Sequence, residues 1–418
     1  MSEKYHFECT DCNARYPGCN VIYLCPACSK DNQPGTPPRG VLKTSYDYQG
    51  MRAMTHPDKL FQSLEREDFM PLMPLSDRKS WPNMRIGGTP FYKMNGRTGG
   101  QADNFDVFLK DDSQNPTFSF KDRASALVSA WAREKGIQTL VAASTGNAGS
   151  SLAGICASQG QKAIIVVPAA APLAKLTQIL MYGATLIPVK GTYDDAFDLS
   201  VQISEKYGYY NRNTAFNPLT IEGKKTVSFE IYSQLRQHVP DRIFIPVGDG
   251  VIYSGVCKGF EDLLKLGIID RMPVLVAVQA EGSSNLIKNL ESKSFISTPS
   301  MTIADSISVD VPRCFYITAR YMNEYAGEAV SVSDKEILAA SLLLSRSTGI
   351  FSEPAAVAAY AGMLKYRDLG LFPACSKNVV LLTGSGLKDL SAVQSSIRIP
   401  AAVEPDIAAV ENFVNTRF

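Results

Sequence analysis

Histidine is scarce in this chain, which has only three histidines, His6, His56 and His238, among its 418 residues. This scarcity argues against a metal site built from several histidines and against a Ser-His-Asp triad. The chain also lacks a marked excess of positive or negative charge, because 42 Lys and Arg residues are balanced by 41 Asp and Glu residues. Binding to phosphate backbones needs a basic surface, so nucleic acid is not expected as a partner.

Long apolar segments are lacking as well. No run reaches the ~20 residues that a membrane span requires, and the longest candidate, 163–174, is interrupted by Pro168 and Pro172. The first residues, MSEKYHFECTDC, have no apolar core of a signal peptide. The sequence therefore predicts a cytoplasmic protein without a membrane partner, and its length allows roughly two to four domains.

Four of the nine cysteines form two short pairs separated by twelve residues. The pairs are Cys9-x2-Cys12 and Cys25-x2-Cys28. This spacing is typical of a zinc ribbon, in which four thiolates close a tetrahedron around a structural ion. Disulfides, or a ribbon that has lost its metal, are the alternatives. The other five cysteines are expected to be small core residues.

Residues 29–90 are rich in proline, glycine and charge, which predicts a linker and poorly patterned peripheral structure. From about Gly87, apolar runs alternate with amphipathic stretches. The predicted strands are 105–110, 139–144, 162–168, 184–191, 242–248, 273–282 and 378–386. The predicted helices are 119–136, 147–160, 173–183, 194–208, 254–267, 333–349 and 353–370, with a possible helix in 401–418. This alternation predicts an α/β fold with a buried parallel sheet.

Four turns at the predicted strand-to-helix junctions carry candidate chemistry, because ligands of open parallel sheets bind there. In NPTFSFKDR, Lys121 falls in the first turn of a helix, where the helix dipole disfavours its ammonium form. A solvated surface lysine is the equally weighted alternative. In STGNAG, small residues and hydroxyls from Ser144 to Gly149 suit a carboxylate, although a helix-capping turn is commoner.

The other two turns are VGDGVIYSG (247–255) and LTGSGLKD (382–389). Tyr253 replaces the third glycine of a dinucleotide fingerprint, and no P-loop motif occurs. Together the four turns indicate one anionic, ring-bearing ligand with an essential lysine. Pyridoxal 5′-phosphate fits that description.

The chain resembles threonine synthases among the fold-type II pyridoxal-phosphate enzymes. The segments that carry the resemblance run in family order from about residue 85 to 390: GGTPFYK, NPTFSFKDR, STGNAGSSLAG, YGATLIPVKGTYDDA, NPLTIEGKKTVSFEI, PVGDG, STGIFSEPAAVAA and LLTGSGLKD. The resemblance implies a zinc-ribbon-like module (1–45), a large cofactor-binding lobe (46–130 and 226–418) and a small α/β lobe (131–225). Both lobes would be Rossmann-like, with the cofactor between them.

The resemblance also implies roles for individual residues. Lys121 would hold the cofactor as an internal aldimine and then move protons, while O-phosphohomoserine and water become threonine and phosphate. Asn147 would bond the ring hydroxyl, and Thr383 the pyridine nitrogen. The substrate would be bound by Ser144, Thr145, Gly146, Ala148 and Lys224. The cofactor phosphate would be bound by Gly248, Asp249, Gly250, Ser254 and Gly255.

Several departures from the family pattern concern the substrate. Thr220 stands where an arginine commonly holds the substrate phosphate, and Lys224 or Lys225 could replace it unless both are exposed. Asp249 adds negative charge to a phosphate-binding turn, which is unfavourable unless its side chain points away. Phe118 replaces a usual glycine, and Ser385 a frequent histidine.

Two alternative functions remain open on the sequence alone. One is a related elimination or replacement enzyme for a phosphoserine-like or hydroxyamino acid, for example a cysteate synthase that uses phosphoserine and sulfite. The other is a catalytically silent amino-acid-binding or regulatory protein, against which Lys121 and Asn147 argue. The resemblance also makes a homodimer the expected assembly.

Overall fold

The computed structural model of this chain describes residues 4–94 and 104–415. The strands in this part of the chain are β1 Tyr5–Cys9, β2 Arg15–Pro17, β3 Leu42–Tyr46, β4 Phe91–Lys93, β5 Asp106–Asp111, β6 Thr139–Ala143, β7 Lys162–Pro168, β8 Thr185–Val189, β9 Tyr210–Asn211, β10 Arg242–Pro246, β11 Val274–Ala280, β12 Glu328–Val332 and β13 Lys377–Leu382. The helices in the same part are α1 Tyr48–Met54, α2 Pro57–Arg66, α3 Lys121–Glu134, α4 Asn147–Gln159, α5 Leu173–Met181, α6 Tyr193–Tyr207, α7 Leu219–Lys224, α8 Thr226–Gln234, α9 Val251–Lys265, α10 Asn285–Asn289, α11 Phe315–Glu324, α12 Asp334–Thr348, α13 Pro354–Asp368 and α14 Ile407–Asn415.

The largest sheet has six strands in the order β12-β11-β10-β13-β5-β4. Its strands pair in parallel except β4, which lies antiparallel at the edge beside β5. The central strands are buried on both faces, as in β10, where Ile243, Phe244 and Ile245 are fully buried. Burial on both faces explains why these strands are continuous apolar runs in the sequence.

A second sheet has four parallel strands in the order β8-β7-β6-β9. Helices α4 and α6 pack on it, and α6 begins with a capping box in which Thr192 and Asp195 bond each other's backbone N–H groups. The chain then returns to the six-stranded sheet through α7, α8 and β10. The carboxyl ends of β6, β10 and β13 lead into the turns that carry Ser144, Gly248 and Thr383.

A small antiparallel sheet, in the order β2-β1-β3, forms the N-terminal module. Phe7 and Cys9 of this sheet pack into one cluster with Trp131 of α3. The Trp131 indole also donates a hydrogen bond to the Tyr5 hydroxyl at 2.8 Å. The module is therefore attached to the rest of the fold through the helix that begins at Lys121.

The interpretation of residues 29–90 as a linker with peripheral structure is wrong in part. Strand β3 completes the N-terminal sheet, and Tyr46, Phe61, Leu64 and Leu72 are buried in the main core. Leu60, Phe61 and Leu64 follow the spacing of an amphipathic helix in α2, and this short pattern is flanked by prolines and charges that favoured the interpretation as a linker.

The other predicted elements are confirmed, with boundaries that differ by a few residues. The helix predicted to begin at Ser254 begins at Val251, and a terminal helix is present as α14. Strands β4, β9 and β12 and helices α7, α8, α10 and α11 were not predicted. β9 has two residues, and the residues of β12 are mostly half-buried, so both lack the apolar run that marks the inner strands.

Candidate active site

The candidate site is a cavity of about 620 Å³ between the carboxyl edges of the two parallel sheets. Its walls come from the turn after β6, the segment after β9, the turn after β10 and the segment 305–313. Lys175 of α5 and Arg313 fix that last segment across the cavity, through ion pairs with Asp305 at 2.8 Å and Asp194 at 2.5 Å. A volume of this size suits a ligand as large as a cofactor with a small substrate.

Lys121 lines the cavity as the first residue of α3, the position the sequence predicted. Within the described residues its ammonium makes no ion pair. Burial is the main cause that lowers the pKa of Lys121, while the carboxylate of Glu353 opposes the shift. A lowered pKa increases the fraction of the lysine that is an unprotonated amine, the form that attacks an aldehyde.

The conformation of the turn before Lys121 explains why a glycine is usual at the position of Phe118. Phe118 has φ +66°, a left-handed conformation that favours glycine, and its side chain is half-exposed. Its carbonyl accepts a hydrogen bond from Ser385, and the Phe120 N–H donates to the carbonyl of Thr383 at 2.8 Å. The turn therefore ties the start of α3 to the end of β13.

The predicted substrate turn, Ser144 to Ala148, lines the cavity at the start of α4. All five of its residues, Ser144, Thr145, Gly146, Asn147 and Ala148, face the cavity. A helix N-terminus with free N–H groups favours an anion such as a carboxylate.

Asn147 meets a partner that the sequence analysis did not assign. Its side-chain amide donates to both oxygens of Glu353, at 2.8 and 3.0 Å, and to Ser306 at 3.2 Å. Glu353 is almost fully buried at the start of α13, and burial raises its pKa. Glu353 lies in the segment SEPAAVAA, which is part of the resemblance to the family, so that motif could have indicated its place at the site.

The turn after β10 brings Gly248, Asp249 and Gly250 to the cavity, directly before α9. Gly250 has φ +87°, and a Cβ there would lie 2.3 Å from Thr318 Oγ1. A Cβ at Gly248 would lie 2.9 Å from Ile307 Cα. Only glycine fits at these positions, so the backbone N–H groups at the start of α9 stay accessible to an anion.

Asp249 does not point away from the cavity. Its carboxylate accepts a hydrogen bond from the Arg313 N–H at 3.2 Å and lines the cavity. Burial raises its pKa, and the charges of Arg313, Lys121 and Lys224 oppose that shift. A raised pKa favours the neutral acid, which reduces the repulsion that Asp249 would exert on a bound phosphate.

The paired lysines of α7 are not exposed, because both Lys224 and Lys225 are fully buried. Lys225 turns away from the cavity and forms ion pairs with Asp262, at 2.7 Å, and Glu222. Lys224 lines the cavity, and its ammonium donates to the carbonyl of Thr220 at 2.9 Å. Burial lowers the pKa of Lys224 well below its ordinary value, reinforced by the charges of Arg212 and Lys121.

Arg212 is the residue that the sequence analysis missed. It follows β9 directly, lines the cavity and is fully buried. Burial lowers the pKa of Arg212 to about 10. Since Arg212 stands in a polar segment without periodicity, NRNTAFNP, only the fold reveals its proximity to Lys121.

Four other sequence-predicted or discussed residues do not line this cavity. Ser254 and Gly255 lie inside α9, where the Ser254 hydroxyl pairs with Thr318 at 2.9 Å. Thr383 follows β13 and is nearly buried. The hydroxyl of Thr220 donates to the carbonyl of Asn217 at 2.7 Å. Their assigned roles in the family pattern stay predictions.

These residues fit an anionic cofactor held by a lysine. Lys121, Lys224 and Arg212 converge on the cavity without an ion pair among the described residues, and the N-termini of α4 and α9 face it. Such a donor set binds a phosphate and a carboxylate, and it offers one amine of lowered pKa for a carbonyl group. Pyridoxal 5′-phosphate combines these features in one molecule.

The four N-terminal cysteines lie together in the structure. The sulfurs of Cys9, Cys12, Cys25 and Cys28 lie within 4.8 Å of one another. The Cys12 and Cys25 sulfurs are 3.7 Å apart, close to the ~3.8 Å expected for sulfurs about 2.3 Å from a tetrahedral zinc ion. The cluster is therefore compatible with a metal-holding ribbon.

Comparison with known protein families adds independent evidence on the cofactor. The model of a family described as pyridoxal-phosphate dependent enzymes matches residues 83–384, the part of the chain that contains the cavity. The chain belongs to this family. Its fold is that of the fold-type II enzymes, and pyridoxal phosphate is the cofactor that the family uses.

The similarity to curated relatives extends over nearly the whole chain. The threonine synthase of Methanocaldococcus jannaschii is 32% identical over 97% of this chain and 98% of that protein. The threonine synthase of Methanosarcina acetivorans is 33% identical over 98% of both. That of Synechocystis sp. is 36% identical over 82% of this chain and 88% of that protein.

Solved structures of the family share the fold at low identity. Threonine deaminase isoform 2 from Solanum lycopersicum superposes with a TM-score of 0.63 at 21% identity, over 87% of this chain and 89% of that chain. An L-serine ammonia-lyase from Rhizomucor miehei superposes with a TM-score of 0.63 at 21% identity, over 74% of this chain and 97% of that chain.

Within the described residues, the helices are too short or too polar to cross a membrane.

Proposed function

We propose that this pyridoxal-phosphate dependent enzyme is a threonine synthase, which converts O-phosphohomoserine and water into threonine and phosphate. The observation that carries the proposal is the placement of Lys121, at the start of α3, in one cavity with two further buried basic side chains, Lys224 and Arg212. A substrate with a carboxylate and a phosphate supplies the negative charge that these groups lack. The full-length similarity to curated threonine synthases supports the same substrate.

Lys121 is the proposed catalytic residue. Its amine holds the cofactor and, once released, takes the proton from the substrate α-carbon and then moves a proton at the β-carbon. The cofactor supplies the electron-withdrawing ring that makes those carbon-bound protons acidic. The lowered pKa of Lys121 favours the unprotonated amine, the form that acts as a base.

The surrounding residues bind and orient. The Ser144 to Ala148 turn takes the substrate carboxylate, and Asn147, held by Glu353, meets the ring hydroxyl of the cofactor. The N–H groups at Gly248 to Gly250 and the start of α9 take the cofactor phosphate. Lys224 lies in the same cavity, where its amine can donate a hydrogen bond to an anion, while Thr383, Ser254 and Gly255 complete the set assigned from the family pattern.

The experiment is an assay of the purified holoenzyme with O-phosphohomoserine, phosphoserine with and without sulfite, serine and threonine. Threonine and equimolar phosphate from O-phosphohomoserine alone is the expected result. Cysteate from phosphoserine and sulfite would replace the proposal with the related synthase. The absence of any product, in a chain that still binds pyridoxal phosphate, would favour an amino-acid-binding protein.

The proposal includes a structural zinc ion on Cys9, Cys12, Cys25 and Cys28, with no open coordination position. Elemental analysis is expected to find about one zinc per chain. Cys12→Ser is expected to lose that zinc, whereas Cys375→Ser, at an exposed cysteine outside the cluster, keeps it. A zinc-free protein with four freely alkylated N-terminal thiols would contradict this part.

The proposed organisation is a ribbon module (1–45), a large lobe (46–130 and 226–418) and a small lobe (131–225) that close around the substrate. A cytoplasmic location and a homodimer complete the proposal. Sedimentation tests the dimer.

A further inference from the structure

Arg212 is held in place by polar contacts that leave one end of its guanidinium free. Its backbone N–H donates to the carbonyl of Val141 in β6 at 2.8 Å, which anchors it beside the Ser144 turn. Its Nε donates to Ser125 at 3.1 Å, and its Nη1 donates to Thr214 at 2.8 Å. Ser125 lies one helical turn beyond Lys121 on α3, so the guanidinium sits close to the reacting lysine.

The Nη2 atom of Arg212 is buried and has no hydrogen-bond partner among the described residues. The side chain is fully buried and lines the cavity. A buried guanidinium N–H without an acceptor is costly, and native proteins rarely tolerate one unless a ligand supplies the acceptor. The free Nη2 therefore indicates an anionic group of the ligand at this wall of the cavity.

The other anion-binding elements of the cavity are already assigned. The start of α9 takes the cofactor phosphate, and the start of α4 takes the substrate carboxylate. An additional anionic group on the substrate would account for Arg212. Arginine suits phosphate particularly well, because its planar, always-charged fork matches phosphate oxygens.

We propose that Arg212 binds the phosphate of the substrate and thereby selects a phosphorylated amino acid over a neutral one. This inference rests on the proposed function, which supplies the phosphorylated substrate. Thr220, at the position where the family pattern has an arginine, is turned to the backbone of Asn217. Arg212 thus supplies the guanidinium from a different element, the segment after β9.

The test measures the binding of inorganic phosphate to the holoenzyme, whose cofactor subsite is already filled. Calorimetry is performed in phosphate-free buffer on wild type, Arg212→Gln, Arg212→Lys and Arg271→Gln. Arg271, half-exposed near Asp241, is the matched control that also removes one arginine charge. Loss of a charged hydrogen bond is expected to weaken phosphate binding about 10- to 100-fold in Arg212→Gln, with the control unchanged.

A second ligand separates phosphate from carboxylate recognition. L-Threonine carries the carboxylate without the phosphate, so its affinity is expected to stay within about threefold of wild type in Arg212→Gln. An equal loss for threonine and phosphate would overturn the inference in favour of a carboxylate contact. An unchanged phosphate affinity would also overturn it.

The lysine variant keeps the test decisive if Arg212→Gln fails to fold. Lysine retains the charge but lacks the planar guanidinium, so at least threefold weaker phosphate binding supports the inference and unchanged binding contradicts it.

Measurements of turnover separate the inference from the proposed function. Threonine formation with an unchanged KM for O-phosphohomoserine in Arg212→Gln refutes the role of Arg212 alone. Arg212-dependent phosphate binding without threonine formation refutes the proposed function alone.

Discussion

Two buried clusters of basic side chains lie close together in this protein, and they differ in whether carboxylates form ion pairs with them. Behind Lys121 in α3, the Arg123 guanidinium contacts Asp112 and Glu230, with four hydrogen bonds of 2.6 to 3.0 Å. Lys110 joins the same network through Glu230 at 2.6 Å. Within the cavity, Lys121, Lys224 and Arg212 are not paired with carboxylates of the described residues.

The difference separates charges that hold the fold from charges that bind ligands. A fully paired network contributes little net energy, but removing one member leaves the others buried and uncompensated. An unpaired buried cation instead weakens the free protein and becomes favourable when an anion binds. The first cluster should therefore respond to mutation in stability, and the second in binding and catalysis.

The largest expected effect is the loss of activity in Lys121→Ala. Since Lys121 serves as both the cofactor attachment and the base, turnover should fall by at least about 10³-fold. The urea midpoint of the apoenzyme should change little, because Lys121 has no ion pair among the described residues that the variant would break. Lys162→Ala, at an exposed position that begins β7, is the matched control and should keep full activity. Residual activity within tenfold of wild type would contradict the assignment.

Arg123→Met should produce the largest loss of stability. It leaves Asp112 and Glu230 buried without their partner, which costs about 3–5 kcal/mol in the free energy of unfolding. Urea denaturation of the apoenzyme measures this without a contribution from bound cofactor. Arg271→Met, at a half-exposed ion pair, should change stability by less than about 1 kcal/mol. Equal losses of stability in the two variants would show that the Arg123 network contributes no more to the fold than a half-exposed ion pair does.

The paired cluster should also give the protein an acid-sensitive component of stability. Burial alone would raise the pKa of Glu230, but the charges of Arg123 and Lys110 lower it below the ordinary value of 4.5. A carboxylate with a lowered pKa stabilises the fold above pH 4.5, and this contribution is lost progressively as the pH falls below 4.5. Glu230→Gln should therefore flatten the decline of stability below pH 4.5. An unchanged slope would show that Glu230 is not ionised in the network.

Arg212→Met should have the smallest effect on stability. It removes an unpaired buried charge, which offsets the lost hydrogen bonds to Ser125 and Thr214, so the free energy of unfolding should stay within about 1 kcal/mol of wild type. Denaturation of the apoenzyme is again the measurement. A loss of 3 kcal/mol or more, on the order of that expected for Arg123, would place Arg212 among the fold-holding charges.

The sequence was sufficient to predict the elements that surround the cavity, but not the pairing of the buried charges. The inner strands are continuous apolar runs and the turns after them carry polar or glycine-rich motifs, so the elements around Lys121, Ser144 and Gly248 could be predicted. The pairing of charges could not, because partners such as Arg123 and Glu230 are 107 residues apart. For the same reason the sequence could not show that Lys224 lines the cavity while the adjacent Lys225 pairs with Asp262, 37 residues away.

Arg212 and helix α2 differ in what local patterns indicate. Arg212 acquires its place only because β9 pairs with β6 and brings it to the Ser144 turn. Leu60, Phe61 and Leu64 follow the spacing of an amphipathic helix, a short pattern that the surrounding prolines and charges obscured. For Arg212 the information lies in contacts between distant parts of the chain, which neither periodicity nor motif spacing records.

The central claim is that the unpaired amine at the start of α3 is the one that holds the cofactor. The holoenzyme is reduced with borohydride, digested, and searched by mass spectrometry for the pyridoxyl group. We expect a single labelled peptide, with the label on Lys121. A label on Lys224, the other unpaired lysine of the cavity, or on neither residue would contradict the account.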